Sequence, residues 1–265
     1  MAHLRCEFFS ETLALSTSMT VLLPQPSSGQ IGMVGATGDG PPPVLYLLHG
    51  LSDDDTIWLR RTSIERYAAP LGLAVVMPQV HRSFYTDEAY GGRFWTFLSE
   101  ELPALVHRFF RVSERREDTY VAGLSMGGYG AFRWALSRPK RFAAAASLSG
   151  ALGFGSVGRD FTDANPADLH LMTRISGGTP LAGSTADLLK LVADADPATL
   201  PALQSWCGTE DFLLGHNRDF ERACVDAGVR LEPHYVPGEH EWGFWDRHIQ
   251  DVLAWMWGLR TAGSA

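Results

Sequence analysis

Apolar and polar residues alternate through Leu15, Met19, Val21 and Leu23, and a similar stretch runs from His3 to Ser10. The spacing predicts two strands, 3–10 and 13–23, lying side by side as an antiparallel pair. Farther on, apolar residues come in short unbroken runs: Val44 to Gly50, Leu73 to Met77 closed by Pro78, Thr119 to Ala122, and Ala143 to Leu148. Such runs read as strands covered on both faces. Between them the pattern lengthens to a helical period over 62–69, 94–110 and 126–136. From Gly150 to about Leu200 the rhythm breaks into Gly, Pro, Asp and Asn, then returns as a strand over 203–206, a helix over 220–227, a strand over 231–236 and a closing helix over 244–259. Strands alternating with helices give an α/β fold: a mostly parallel central sheet with helices on both faces and an antiparallel N-terminal strand pair. We expect one domain over 1–265, with a small cap-like insertion at about 151–200. The stretch Pro24 to Pro43 is turn chemistry and reads as a surface loop.

Composition narrows the function. Among 265 residues, 45% are apolar and 8 are Trp, too rich in large side chains for a disordered chain. The 22 Lys and Arg against 30 Asp and Glu give a net charge of −8, which offers nucleic acid no electrostatic footprint. Cys6, Cys207 and Cys224 are an odd number without zinc-site spacing, so they read as neutral thiols with neither disulfide framework nor metal. Arg5 and Glu7 sit where a secretory signal would be apolar, and no run reaches the roughly 20 apolar residues of a membrane span. The expectation is a cytoplasmic protein with no membrane partner.

The chemistry centres on Gly123-Leu124-Ser125-Met126-Gly127, a G-x-S-x-G sequence. It follows a buried strand and opens a helix, the strand-to-helix elbow that lifts a serine hydroxyl above a sheet. A serine needs a base beside it and a carboxylate to orient that base. His240, in the turn Pro237-Gly-Glu-His-Glu-Trp242 between the last strand and last helix, is best placed for the base. For the acid, Asp211 in Cys207-Gly-Thr-Glu-Asp211 is preferred. Glu210 is its rival, and a plain helix N-cap is the other role open to Asp211. The tetrahedral oxyanion would take the backbone N–H groups of Met126 and of Leu51 in His49-Gly50-Leu51, with Gly50 keeping side chains out of the pocket.

The stretches SETLALSTSMTVLLP, LYLLHGLSDDDTIWLRRTSIERYA, VVMPQVHRSFYTDEAYGGRFWTFLSEELP, YVAGLSMGGYGAFRWAL, CGTEDFLL and GEHEWGFWD together resemble the putative-esterase (esterase D-like) branch of the α/β-hydrolases. The nearest likeness is to bacterial tributyrin esterases. That resemblance implies an α/β-hydrolase fold, a Ser125, Asp211 and His240 triad, oxyanion donors at Leu51 and Met126, and no cofactor. Members hydrolysing S-formylglutathione typically carry Asp-Thr-Ser-Pro after the second parallel strand, where this chain has Met77-Pro-Gln-Val, so glutathione thioesters rank second.

The expected activity is therefore a serine carboxylesterase acting on short-chain acyl esters through an acyl-enzyme on Ser125. Alternatives are a thioester hydrolase or a carbohydrate acetyl or feruloyl esterase, and more distantly an acyltransferase or a non-catalytic binding protein. Trp58, Tyr85, Trp95 and Trp242 are candidates for lining the substrate pocket, with Gly50 beside them. The expected partner is a small-molecule ester; a homo-oligomer is compatible with the chain, although no stretch marks an interface.

Overall fold

The computed structural model describes residues 1–27, 29, 31–32, 34–156 and 166–262, the last span without the side chains of 166–168. Eight strands form one sheet among these residues: β1 (Ala2–Ser10), β2 (Leu15–Leu23), β3 (Val44–Leu48), β4 (Ala74–Pro78), β5 (Thr119–Leu124), β6 (Ala144–Leu148), β7 (Ala202–Gly208) and β8 (Leu231–Val236). Their spatial order is β1-β2-β4-β3-β5-β6-β7-β8. β1 with β2 and β2 with β4 pair antiparallel, and every later pairing is parallel. From β3 the chain goes to β4 on one side and β5 on the other, and such a reversal opens a crevice at the strands' carboxyl ends.

The unbroken apolar runs are explained by the two cores. Val44, Tyr46 and Leu48 of β3 face one cluster, while Leu45 and Leu47 face the other. The first is covered by α4 (Leu102–Phe109), α5 (Met126–Ser137) and α8 (Leu214–Asp226), through Val106, Phe132 and Phe220. The second is covered by α1 (Ile57–Arg61), α2 (Ile64–Ala68) and α9 (Trp242–Ala262), through Ile57, Ile64, Ile249 and Val252.

Where the local pattern misleads, backbone chemistry explains it. The helix expected over 62–69 is α2, and it is preceded by a short helix the pattern did not indicate, α1, the two being separated where Thr62 turns extended and its hydroxyl donates to the Trp58 carbonyl. The helix expected over 94–110 is α3 (Phe94–Thr96), a π-turn over Phe97–Glu101, and then α4. Pro103 has no N–H to offer the Ser99 carbonyl one α-turn back, so the preceding turn widens. α8 begins six residues before the expected start, because Gly215 and Asn217 hide its first turn from a propensity reading.

In the excursion, residues 157–165 lie outside the described residues. The rest contributes α6 (Pro166–Ser176) and α7 (Leu188–Ala193). Asp187 caps α7 by accepting from the Leu189 and Lys190 N–H groups, and the Tyr129 hydroxyl of α5 donates to the Ala186 carbonyl at 2.7 Å. Of the loop 24–43, Ala36 is tied by its N–H to the Ala69 carbonyl at 2.9 Å. No helix among the described residues is long and apolar enough to cross a membrane.

Candidate active site

β5 runs into Ser125, which takes φ +53° and ψ −118°, and α5 starts at the next residue. That rare backbone places the side chain at the crest of the turn, and the fold holds it there with hydrogen bonds. The Ser125 N–H donates to the Leu148 carbonyl at 2.9 Å, and its carbonyl accepts from Ala151 at 3.1 Å and Tyr129 at 3.1 Å. Gly123 and Gly127 are required by contact: a Cβ on Gly123 would sit 2.3 Å from the Gly127 carbonyl oxygen, and one on Gly127 would sit 2.4 Å from that of Leu48.

The loop after β7 and the loop after β8 pack backbone against backbone. Thr209 N–H donates to the Val236 carbonyl at 2.9 Å, and a Cβ on Gly208 would strike the Gly238 carbonyl oxygen at 2.0 Å. This contact brings Asp211 and His240 together across 29 residues. His240 Nδ1 lies 3.1 and 3.0 Å from the two Asp211 carboxylate oxygens, and its Nε2 lies 3.1 Å from Ser125 Oγ. A carboxylate only accepts, so Nδ1 carries the proton and Nε2 is free to accept from the Ser125 hydroxyl.

Asp211 has a fully buried side chain. Burial pushes its carboxyl pKa up, but the hydrogen bonds from His240 and the Leu213 N–H help to outweigh that and hold it below the usual carboxylate range. The Leu213 bond is 2.8 Å. Leu213, rather than Asp211, occupies the N-cap of α8. Glu210 is turned away, its carboxylate accepting from Gly238 N–H at 2.7 Å and from the Thr209 hydroxyl at 2.7 Å.

Leu51 lies in the turn after β3 and lines the cleft beside Ser125. Met126 is the first residue of α5, where a helix leaves its N–H groups without intrahelical partners. The Leu51 turn is braced from behind. His49 is buried, its Nδ1–H donating to the Gly50 carbonyl at 2.7 Å and its Nε2 accepting from Val80 N–H at 3.2 Å. Burial lowers its pKa and keeps the ring neutral, as a group with one donor and one acceptor role must be. Asp53 accepts from the Gly50 N–H at 3.2 Å, and burial pushes its carboxyl pKa up.

The cleft has a volume of about 480 Å³. Gly50 and Trp242 line it, as the sequence suggested, together with Phe84, Phe212, Leu213 and Trp245, which it did not. Trp58, Tyr85 and Trp95 are not among its lining, and each has a structural place instead. Trp58 is buried beneath β3, donating its indole N–H to the Leu48 carbonyl at 3.1 Å. Tyr85 is buried and donates its hydroxyl to the His49 carbonyl at 2.9 Å. Trp95 lies under the Arg133 guanidinium, 4.2 Å from the ring centroid. Large aromatics near a mouth more often support it than line it. The lining residue Trp245 stands three positions after Trp242, one helical turn along α9, a spacing that could have flagged it.

Cys207 and Cys224 are buried, and burial pushes each thiol up to about 12, so neither offers a thiolate. Among the described residues no three His, Cys, Asp or Glu side chains are grouped to hold a metal ion.

Comparison with known proteins identifies the family. The family model described as "Putative esterase" matches residues 10–158. An acetyl esterase of Caldicellulosiruptor saccharolyticus is 30% identical over 263 residues, covering 97% of this chain and 98% of the relative. Fluorophosphonate-binding serine hydrolase F of Staphylococcus aureus superimposes with a TM-score of 0.83 at 33% identity, covering 97% of this chain and 98% of that one. S-formylglutathione hydrolase of the same organism gives 0.80 at 33% identity, with coverage of 97% and 98%. The chain thus belongs to the putative-esterase family of the α/β-hydrolases and is a carboxylic ester hydrolase of the serine esterase type.

Proposed function

We propose that Ser125, His240 and Asp211 are the catalytic triad of an esterase for short acyl chains, with the N–H groups of Leu51 and Met126 as oxyanion donors. The observation that carries this is the unbroken line from Asp211 through His240 to Ser125 Oγ, with neighbouring atoms 3.0–3.1 Å apart. In acylation, His240 Nε2 takes the Ser125 proton as Oγ bonds to the ester carbonyl carbon, and negative charge moves to the carbonyl oxygen. The tetrahedral adduct collapses, the carbon–alkoxide bond breaks, and the Nε2 proton goes to the departing alcohol. Water then attacks the acyl-enzyme with His240 as base, releasing the acid and restoring Ser125.

Two features support a small ester. The acetyl esterase relative is named for a two-carbon acyl group. The cleft, at about 480 Å³, lies in the lower half of the range for small-molecule sites, roughly 300–1,000 Å³, and is walled by Phe84, Phe212, Trp242 and Trp245. Acetyl and butyryl esters, including short-chain triesters such as tributyrin, fit this description. Asp53 and Glu241 are the acidic residues of the described lining, and it contains no Lys or Arg. That charge disfavours glutathione thioesters, whose carrier has two carboxylates against one ammonium. Of the described residues between 151 and 200, Ala151 lines the same cleft.

Hydrolysis of p-nitrophenyl esters from acetate to palmitate, with Ser125→Ala run beside the wild type, tests the proposal. Activity should peak at acetate to butyrate and vanish in the variant. A rate rising steadily toward palmitate would overturn the short-chain assignment, and full activity in Ser125→Ala would overturn the nucleophile.

A further inference from the structure

At the end of the sheet opposite Ser125, a cavity of about 700 Å³ opens between α4 and α5. That volume falls within the roughly 300–1,000 Å³ of small-molecule sites. Thr119, the first residue of β5, lines it, and the extended strand from there to Ser125 spans roughly 20 Å. The cavity and the catalytic cleft have no lining residue in common.

Tyr46 forms the floor. Its backbone sits in mid-sheet, paired with Val76 of β4 and Val121 of β5, so only the far end of its side chain reaches a cavity in the helix layer. Tyr46 is completely buried, and its hydroxyl has no hydrogen-bond partner among the described residues. A buried donor without an acceptor is costly, so its retention needs a reason. Burial raises its pKa, which keeps the proton on the oxygen and available to donate.

The rings behind Tyr46 bring cations to this floor. Tyr46 packs on Trp134 with centroids 5.0 Å apart, and Trp134 packs on Phe142 at 5.0 Å. Arg141 immediately precedes Phe142, and Arg138 closes α5 with its N–H on the Trp134 carbonyl at 2.9 Å. The turn between the two arginines is held from outside by Arg116, whose Nε donates to the Pro139 carbonyl at 3.3 Å. Arg138, Lys140 and Arg141 all line the cavity. Glu100 is matched by Arg138 at 3.4 Å, while Glu114 faces His107 Nδ1 at 4.0 Å, a ring that burial keeps neutral near pH 7. Lys140 and Arg141 have no ion-pair partner among the described residues, and the lining is left with one net positive charge. Its apolar surface comes from Pro103, Ala104 and Pro139.

We propose that this cavity is a second binding site, for a small organic carboxylate with an apolar body. Arg141 and Lys140 hold the carboxylate, the Tyr46 hydroxyl donates to it, and the body lies along Pro103 and Ala104. A guanidinium fork suits a carboxylate, and a single positive charge matches a monoanion, whereas a phosphate dianion would meet Glu114. The site does not depend on the triad.

Isothermal titration calorimetry with sodium 4-phenylbutyrate tests it, using the uncharged 4-phenylbutyramide beside it and comparing the wild type with Tyr46→Phe and Arg141→Met. The carboxylate should bind the wild type at least 10-fold more tightly than the amide. Each substitution should weaken carboxylate binding by roughly 10- to 100-fold, the worth of one hydrogen bond to a charged group. Tyr46→Phe should keep the wild-type Tm, because the hydroxyl it removes makes no bond within the protein. Both variants should keep wild-type kcat and KM on p-nitrophenyl acetate, because neither residue lines the catalytic cleft. If Arg141→Met fails to fold, Lys140→Met takes its place, with the same loss of binding expected.

Three results would overturn the proposal. They are no binding of 4-phenylbutyrate to the wild type, equal affinity for acid and amide, and equal affinity of the wild type and the variants, which would place the ligand in the catalytic cleft. Failure of the triad reading is a separate result, seen as activity surviving in Ser125→Ala.

Discussion

Gly127→Ala is the perturbation in which sequence preference and structure disagree most sharply. Gly127 is the second residue of α5, and helix propensity alone favours alanine over glycine by about 1 kcal/mol. The structure opposes it. The added Cβ would lie 2.4 Å from the Leu48 carbonyl oxygen and 2.7 Å from that of His49, both backbone atoms at the end of β3. Ordinary contact needs about 3.5 Å, so α5 and β3 must separate by roughly 1 Å. Overpacking of this kind costs about 1–3 kcal/mol, enough to cancel the propensity gain and lower Tm by a few degrees. The functional cost is larger, because the two elements forced apart carry Met126 and the turn to Leu51, the proposed oxyanion donors. A misplacement of about 1 Å in such a pair costs on the order of 10²-fold, and it should fall on kcat because the donors act mainly in the transition state. Steady-state kinetics on p-nitrophenyl acetate with a parallel thermal melt would measure both. A variant with a raised Tm and kcat within about threefold of the wild type would refute the claim that this close approach sets the oxyanion geometry.

Other substitutions should separate in kind. Asp211→Asn should lower kcat by roughly 10³- to 10⁴-fold, as loss of the orienting carboxylate does in serine triads, whereas Glu210→Gln should stay near wild type in the same assay. His49→Ala strands the Gly50 carbonyl and the buried Val80 N–H, so denaturant titration should show a loss of about 1–3 kcal/mol accompanied by reduced kcat. Burial depresses the His49 pKa, so the unfolded chain takes up a proton that the fold does not. Wild-type stability should therefore decline as pH falls below about 6.5, and His49→Ala should lack that part of the decline. Burial raises the Asp118 carboxyl pKa, but bonds from Arg115, Arg260 and Ser113 outweigh it and leave the pKa lowered. Its stabilisation is present above the unfolded value of about 3.9 and is lost as pH falls further, so Asp118→Asn should flatten that segment of an acid-unfolding curve.

Much of this architecture was legible because it is written in local patterns. The apolar runs of β3, β4, β5 and β6 mark buried parallel strands, and Gly123 and Gly127 around Ser125 mark an elbow that no larger residue could make. Asp211 and His240 were legible from their places after the last two strands, since loops at the same sheet end must converge. The pocket walls were not. Trp58, Tyr85 and Trp95 look like Trp242 in sequence, and only the packing shows that the first three support the loop and core while the fourth faces the cleft.

The central claim is that the acyl group passes through Ser125. Rapid mixing of the enzyme with excess p-nitrophenyl acetate, acid quenching and peptide mass spectrometry test it directly. The account predicts one acetyl group on the peptide that contains Ser125, formed and discharged at rates compatible with turnover, and none in Ser125→Ala. An acetyl group carried in turnover by another residue, or undiminished turnover in Ser125→Ala, would contradict it.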